Sequence, residues 1–419
     1  MIHQKERIKG DNMIQIYGNY TNAIIMTDDV EEGALSQIKQ LCNLKNMYDV
    51  NIVCMPDCHP GKVSTIGFTC TQPYSSPIMP ALVGNDIGCS VTLAKLHMKR
   101  KPEWAKLDTI IRDNIPTGTR KRGSLHRFYQ VFKDSYRIEN LHAKFDLHQA
   151  ALSLGTLGGG NHFIEIDKDE NNDYYITIHS GSRSFGAKVY EYWIEQSDLE
   201  TNGNGCGRTV ARELTYLSSP DSKKKYIDDV ELCRGFAKYS HLAIIDDICS
   251  GMKWNYEIEV QSMHNIISDN TEDLTYTIRK GAIEAKCGDK VIIPINMKDG
   301  IIIGTSKGDL RYNNSAPHGA GRILSRKDVA EHHTLNEFKT VMNGIYSPTI
   351  NKGTLDEAPF AYRSIDMILP KIKDIIEIEK IIKPVYNYKD DSGNKEKSIK
   401  AYSDAEALRV WAKYEGRHC

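Results

Sequence analysis

Asn85-Asp86-Ile87-Gly88-Cys89 places a carboxylate and a thiol three residues apart in a short glycine-containing turn, a spacing at which two side chains can converge on one point. Three later segments each set a histidine among small or polar residues: Gly158-Gly159-Gly160-Asn161-His162-Phe163, Ile178-His179-Ser180-Gly181-Ser182-Arg183 and Met263-His264-Asn265. Neutral imidazoles, a thiolate and a carboxylate form a first-row transition-metal donor set, and five donors exceed what one tetrahedral ion needs. Two ions sharing a ligand would use all five, with the Cys89 sulfur suited to the bridge. Such a site demands a fold that gathers donors from distant parts of the chain. Read singly, each histidine also suits a hydrogen-bonded structural position after a strand, so convergence is an expectation that the fold must meet.

A further glycine-rich segment, Ser315-Ala316-Pro317-His318-Gly319-Ala320-Gly321-Arg322, carries one more histidine. Its small residues leave the imidazole unshielded and let a phosphate approach the backbone, while Arg322 can hold that phosphate. Ile323 to Ala330 has helical apolar spacing, so a helix is predicted to open at His318 with its N–H groups and positive dipole end facing an anion. The arrangement suits a histidine nucleophile acting on phosphate. A turn histidine at a helix start is the alternative.

The 419 residues suffice for one large domain or two of ordinary size, with no need of disulfide staples. Lysines and arginines (54) balance aspartates and glutamates (55), so any nucleic-acid contact must come from local basic groups. Lys99-Arg100-Lys101 and Arg120-Lys121-Arg122, with His126 and Arg127 just beyond, are such groups, and both read as solvated loops. No apolar run nears the ~18 residues of a membrane span and no signal-peptide pattern opens the chain, so a cytoplasmic location is expected. The ten cysteines lack a secreted-domain spacing and read as free thiols, with Cys58 and Cys89 set apart by polar neighbours. A monomer is expected.

Periodicity divides the chain between helices and strands and assigns it to the mixed α/β class. Helices are predicted over Glu31 to Leu44, Ser184 to Gln196, Asp228 to Ser250 and after His318. Strands are predicted at Tyr174 to Ile178, Lys290 to Ile293 and Ile376 to Ile381. Tyr388 to Lys397 is a charged turn, and Ser403 with Glu406 forms a capping box before a short final helix from Asp404 to Tyr414.

Taken in order, seven segments resemble the RtcB family of RNA ligases. They are Met55-Pro56-Asp57-Cys58-His59-Pro60-Gly61, Asp86-Ile87-Gly88-Cys89, Gly155 through Glu165, His179-Ser180-Gly181-Ser182-Arg183, Arg279-Lys280-Gly281-Ala282, His318-Gly319-Ala320-Gly321-Arg322 and Asp356-Glu357-Ala358-Pro359. The family joins an RNA 3′-phosphate or 2′,3′-cyclic phosphate end to a 5′-hydroxyl end. The resemblance implies a single large α/β catalytic domain over residues 1–389, with metals at the base of a cleft, followed by an extension over 390–419. It implies two manganese ions held by Asp86, Cys89, His162, His179 and His264. It makes GTP the co-substrate and His318 the residue that takes GMP, with Asp57 orienting His318 through its other ring nitrogen. Asn161, Phe163, Ile164, Glu165, Asn265, Gly319, Ala320, Gly321, Tyr362 and Lys389 would contact the guanylate, Glu165 accepting hydrogen bonds from the guanine edge. Arg183, Arg322 and Arg326 would hold RNA phosphates.

Pro294-Ile295-Asn296-Met297-Lys298-Asp299-Gly300-Ile301 departs from the family's usual Pro-Gly-Ser-Met and later serine. Asn296, beside Met297, is expected to replace one serine contact to the nucleotide, whereas Ile301 cannot replace a hydroxyl. Family members commonly stop soon after the nucleotide-binding lysine, so the residues after Lys389 mark a divergent branch. The implied activity is RNA ligation through a histidine-GMP intermediate and an RNA(3′)pp(5′)G end, in RNA repair or tRNA splicing. A dinuclear metal-dependent phosphoesterase that acts on RNA ends without sealing them, and a non-catalytic RNA-binding relative, are the alternatives.

Overall fold

Strands form where β-branched and aromatic residues alternate or run together, and in the computed structural model they gather into two seven-stranded sheets and one two-stranded ribbon. The structure describes residues 5–7, 13–203 and 210–391. The first sheet has the order Lys5–Arg7, Ile14–Tyr17, Asn22–Ile25, Asn51–His59, Ile66–Pro73, Thr275–Lys280, Asn265–Asn270. Its one parallel pair, Asn22–Ile25 with Asn51–His59, is joined by a crossover containing the helix Glu32–Cys42. That helix buries Ala34, Leu35, Ile38, Leu41 and Cys42 on one face, matching the period read from Glu31 to Leu44.

The second sheet is antiparallel throughout, in the order Lys290–Asn296, Gly300–Ser306, Ile376–Tyr388, Phe163–Lys168, Tyr174–Ser180, Ser90–His97, Asn255–Met263. Three of these strands extend the predicted ones at their C-terminal ends. Register pairs His179 with both Phe163 and Val91, and Ser90 with Met263. Cys89, His162, His179 and His264 therefore fall at one end of four neighbouring strands. The pairing of the sheet brings together what the chain keeps apart.

A 33-residue helix, Pro220–Met252, runs through the interior. It starts earlier than the predicted Asp228 because Ser219 caps it, accepting from the Ser222 N–H, with Pro220 in its first turn. Ile244, Ile245 and Ile248 pack against Ile164, Ile166, Ile176 and Ile178 of the second sheet. Phe236 stacks on Phe185 of the helix Arg183–Asn202, with ring centroids 4.7 Å apart. Fold and composition together give a mixed α/β single domain, in which no helix among the described residues is long and apolar enough to cross a membrane.

Two expectations are corrected. No helix opens at His318: Ser315–Pro317 is a strand paired with Ala282–Glu284, and the helix is Arg326–His332, begun by a capping box of Ser325 and Asp328. Gly321, at φ +72°, turns the chain between them, so His318 gains no helix dipole. Second, the Arg120-Lys121-Arg122 region is a solvated loop only in part: Lys121 is exposed, but Arg122, His126 and Arg127 turn inward. Arg122 is buried with Nη2 2.8 Å from Asp247 Oδ2, His126 lies 3.2 Å from the same carboxylate, and Arg127 pairs with Asp246. Two buried aspartates of the long helix supply the partners that draw these basic groups inward. Lys99-Arg100-Lys101 is exposed as expected. The cysteines among the described residues are free, and all but Cys287 are buried. The predicted helix Asp404 to Tyr414 and its capping box lie outside the described residues.

Candidate metal centre and nucleotide pocket

Cys89 Sγ lies 3.5 Å from His162 Nε2 and 3.4 Å from His179 Nε2. His179 Nε2 lies 3.3 Å from His264 Nε2, and Asp86 Oδ2 lies 3.2 Å from His162 Nε2. Ligands bound at about 2.0–2.3 Å around a tetrahedral ion stand roughly 3.3–3.8 Å apart, so these separations fit donors arranged around metal. All five predicted donors form one chain of contacts: Asp86, His162, Cys89, His179, His264. The Asp86 to Cys89 turn closes by a Cys89 N–H bond to the Asp86 carbonyl at 3.1 Å. Gly181 lets it approach, since a Cβ there would stand 2.0 Å from Asp86 Oδ1.

The electrostatics suit the same purpose. Burial holds the His179 and His264 imidazoles well below the usual histidine range, with neighbouring histidines adding to the effect, so both are neutral, the form in which an imidazole can bind metal. Burial alone would raise the Asp86 carboxyl, but the bond and charge of His162, with Arg183, outweigh it and keep Asp86 ionised. Burial and the Asp86 charge push the Cys89 thiol up, a cost that a bound cation would remove. His162 Nδ1 lies 3.0 Å from the Leu157 carbonyl, which leaves Nε2 as the donor atom. Behind the site, buried His241 contacts the Ser180 carbonyl at 3.0 Å and Thr92 Oγ1 at 2.7 Å, fixing the strand end that carries His179.

His318 adjoins this cluster, its ring centroid 4.7 Å from that of His264. Its Nδ1 lies 2.8 Å from Oδ2 of fully buried Asp57. The close passage of residue 321 past the Asp57 carbonyl requires glycine, because a Cβ would stand 2.3 Å from that oxygen.

A cavity of about 490 Å³ opens above the donors. Asp86, Cys89, His179 and His264 lie on its floor and His318 on its wall with Gly319, Ala320 and Gly321. Phe163, Glu165, Asn387 and Lys389 form another wall, with Asn161 at the rim. Asn387 Nδ2 donates to Glu165 Oε2 at 2.6 Å. Lys389 Nζ donates to the Asn161 carbonyl at 3.3 Å and lies 5.6 Å from the centre of the Phe163 ring. Buried Glu357 gathers the cations of this region: Arg326 Nη2 at 2.9 Å, Arg322 Nη1 at 3.3 Å and Lys389 Nζ at 3.3 Å. The Tyr362 hydroxyl also donates to Glu357, and Arg322 lies over the Tyr362 ring. Arg326 also pairs with Asp356, so three cations meet two carboxylates and leave a small surplus of positive charge beside the cavity.

The family described as tRNA-splicing ligase RtcB matches this chain over residues 37–151 and 139–390. The chain belongs to the RtcB family. RNA-splicing ligase RtcB of Escherichia coli strain K12 is 28% identical over 386 residues, covering 81% of this chain and 90% of the relative. The tRNA-splicing ligases RtcB of Nanoarchaeum equitans and Thermococcus kodakarensis are 26% and 22% identical, covering 84% and 87% of this chain and 90% and 92% of theirs. The RtcB match spans every donor, Asp57, His318, Glu357 and Lys389.

Some residues that the RtcB resemblance implicates lie elsewhere or are already engaged. Ile164 is fully buried in the core, because alternate residues of its strand face opposite sides and Phe163 and Glu165 take the cavity side. Asn296 lines the cavity with Met297, but its side chain serves its own turn: Oδ1 accepts from the Lys298 and Asp299 N–H groups and Nδ2 donates to Asp299. Arg183 does not line the cavity. Its Nη2 donates to the Gly118 carbonyl and its Nη1 lies 3.3 Å from His162 Nδ1, so it faces the metal donors from behind. Asn265 bridges the Asp86 carbonyl and the Gly281 N–H. Glu357, His241 and Asn387 carry weight that the sequence reading did not assign them; only Glu357 had a signal, within Asp356-Glu357-Ala358-Pro359.

Proposed function

We propose that this chain is an RNA ligase that joins an RNA 3′-phosphate end to a 5′-hydroxyl end through a covalent histidine-GMP intermediate. Family membership supports the ligase class. The end chemistry rests on His318, whose bond to Asp57 is the observation that carries the reading. A carboxylate only accepts, so the Nδ1 proton points at Asp57 and the Nε2 lone pair is left as the nucleophile.

Nε2 attacks the α-phosphorus of GTP, an N–P bond forms and pyrophosphate leaves. An oxygen of the RNA 3′-phosphate then attacks the same phosphorus, freeing His318 and giving an RNA(3′)pp(5′)G end. The 5′-hydroxyl of the second RNA attacks the RNA-side phosphorus, loses its proton and expels GMP, leaving a phosphodiester. A 2′,3′-cyclic phosphate end is hydrolysed to the 3′-phosphate first.

Asp86, Cys89, His162, His179 and His264 would hold the metal, and two ions sharing Cys89 would use all five donors. Bound there, manganese would neutralise phosphate charge and so favour in-line displacement. Glu165, steadied by Asn387, would accept from the guanine N1–H and amino group, whose donation favours the ionised carboxylate against its burial. Arg322, Arg326 and Lys389 meet the phosphates with the positive charge that Glu357 and Asp356 leave unbalanced.

The test is incubation with GTP labelled at the α-phosphate, with manganese. An acid-labile, alkali-stable protein adduct is expected, absent in His318→Ala. Sealing of a 3′-phosphate RNA to a 5′-hydroxyl RNA that requires GTP separates ligation from simple phosphoester hydrolysis, and GTP-independent hydrolysis alone would overturn the reading.

A further inference from the structure

A second cavity, of about 390 Å³, lies beside the first. Ile66 lines both, and Asn85 on the wall of the second is followed directly by Asp86 on the floor of the first. The two spaces are therefore neighbours across one turn of chain. Lys62, Lys280 and Tyr190 also line the second cavity.

Lys280 is unusual for a lysine. It is only 7% exposed, and its Nζ has one acceptor, the Ser64 carbonyl at 3.2 Å. Among the described residues neither Lys280 nor exposed Lys62 forms an ion pair. Glu191, the carboxylate at the cavity, is already matched by Lys188 at 2.7 Å. An ammonium offers three donors, and burying one without a counter-charge is costly. Burial, and then the charge of Lys62, pull the Lys280 amine down to about 8. The two lysines repel each other across a space whose one lining carboxylate, Glu191, is paired with Lys188. A ligand anion between them would remove that repulsion and fill the open donor positions. Tyr190 adds an aromatic ring, the second component that single-stranded RNA sites combine with basic groups.

We propose that this second cavity is an RNA-backbone subsite, in which Lys62 and Lys280 hold one phosphodiester of a strand whose reactive end lies in the first cavity, with a base against Tyr190. The inference rests on the ligase reading for the nature of the ligand. The lysines are tied to the protein's chemistry by position: Asn85 of this cavity adjoins Asp86 of the first, and Ile66 lines both. Whether the strand is the one ending in 3′-phosphate or the one beginning in 5′-hydroxyl is separable by experiment, because both present the same phosphodiester.

The experiment uses the full chain with manganese and two short fluorescent RNAs, one ending in 3′-phosphate and one beginning with 5′-hydroxyl. Binding is measured across a salt series for the natural protein, Lys62→Ala and Tyr190→Ala, alongside the rate of GMP-adduct formation. Lys62 is exposed, so its replacement does not threaten folding. Lys62→Ala is expected to weaken binding of at least one RNA and to lower the log–log salt slope by about one unit, the loss of one phosphate contact. Tyr190→Ala is expected to weaken the same RNA about tenfold. Adduct formation should be unchanged in Lys62→Ala, since GTP occupies the first cavity. An effect confined to one RNA identifies the strand held. Natural affinity and salt slope for both RNAs in Lys62→Ala and Tyr190→Ala would overturn the proposal. A natural protein that forms no GMP adduct would instead sink the ligase reading, while the binding comparison still decides the subsite.

Discussion

His318 Nδ1 lies 2.8 Å from Asp57 Oδ2, and the carboxylate is fully buried while the imidazole keeps 14% of its side chain exposed to the cavity. The burial of Asp57 makes this bond a fixed feature of the fold, and it selects the tautomer that leaves Nε2 unprotonated. An asparagine of the same shape can turn its amide toward the ring, favouring the opposite tautomer. Asp57→Asn should therefore slow GMP-adduct formation by about 10³ to 10⁴-fold, the size of effect that a wrong tautomer has in other histidine-dependent enzymes. Single-turnover labelling measures it. A rate within tenfold of the natural protein would show that Asp57 does not orient the nucleophile.

Cys89 touches donors on both sides, at 3.5 Å and 3.4 Å, and in the proposed two-ion centre it would be the shared ligand. Replacing its sulfur should disturb both ions, whereas replacing a terminal donor should disturb one. Cys89→Ser is expected to lower bound manganese from two ions per chain to less than one, and His264→Ala to about one, as read by metal analysis after gel filtration. Chelation should lower the thermal midpoint, because metal present at a hundred times its Kd stabilises the native state by about 2.7 kcal/mol. Full retention of two ions in Cys89→Ser would remove the bridge.

Much of the site was legible because its chemistry sits in short segments with unusual residues, such as Asp86 to Cys89 and the histidines set among glycines. Long, strongly periodic elements were also legible, as with Glu31 to Leu44. What failed was reading a helix from Ile323 onward up to His318, since apolar spacing does not report where a cap falls and Ser325 begins the helix. The basic run at Arg122 was misread because its partners, Asp246 and Asp247, lie more than a hundred residues away on a helix whose buried face carries them. Asn296, read as a ligand contact by substitution for serine, does line the cavity, but its Oδ1 is taken up by its own turn, which the sequence substitution alone did not report. Glu357 stood in the segment Asp356-Glu357-Ala358-Pro359, but its role as the partner of three cations came only from tertiary contacts.

Glu357 is the single carboxylate shared by Arg322, Arg326 and Lys389. Burial would raise its carboxyl, but Lys389 and Arg326 outweigh that and keep it ionised. Glu357→Ala should cost about 3 kcal/mol in stability, the scale for breaking a buried ion cluster from one side. Glu357→Gln, which keeps the hydrogen-bonding shape, should cost less. Both should raise the KM for GTP more than they lower kcat, because the cations lose the anchor that sets their positions. Guanylylation kinetics with matched thermal melts test this, and an unchanged KM in both variants would contradict it.

Asp167 lies two residues beyond Glu165 on the same strand, fully buried, with Thr177 donating to its Oδ2 at 2.7 Å. Burial pushes its carboxyl up to about 7, and burial together with the Asp167 charge pushes Glu165 up as well. An unfolded aspartate titrates near about 3.9, so the folded chain holds a proton that the unfolded chain has lost across the window from about 4 to 7. Stability from this group is therefore greatest at the acid side and falls as pH rises through that window. The thermal midpoint is expected to drop between pH 5 and pH 8. Asparagine at this position cannot ionise and can still accept from Thr177, so Asp167→Asn should flatten the slope and melt higher than the natural protein at pH 8. At about 1.4 kcal/mol per unit of pKa displacement, the gain is at most roughly 4 kcal/mol. Parallel melting curves for the two proteins across this range would remove Asp167 as the source of the pH dependence.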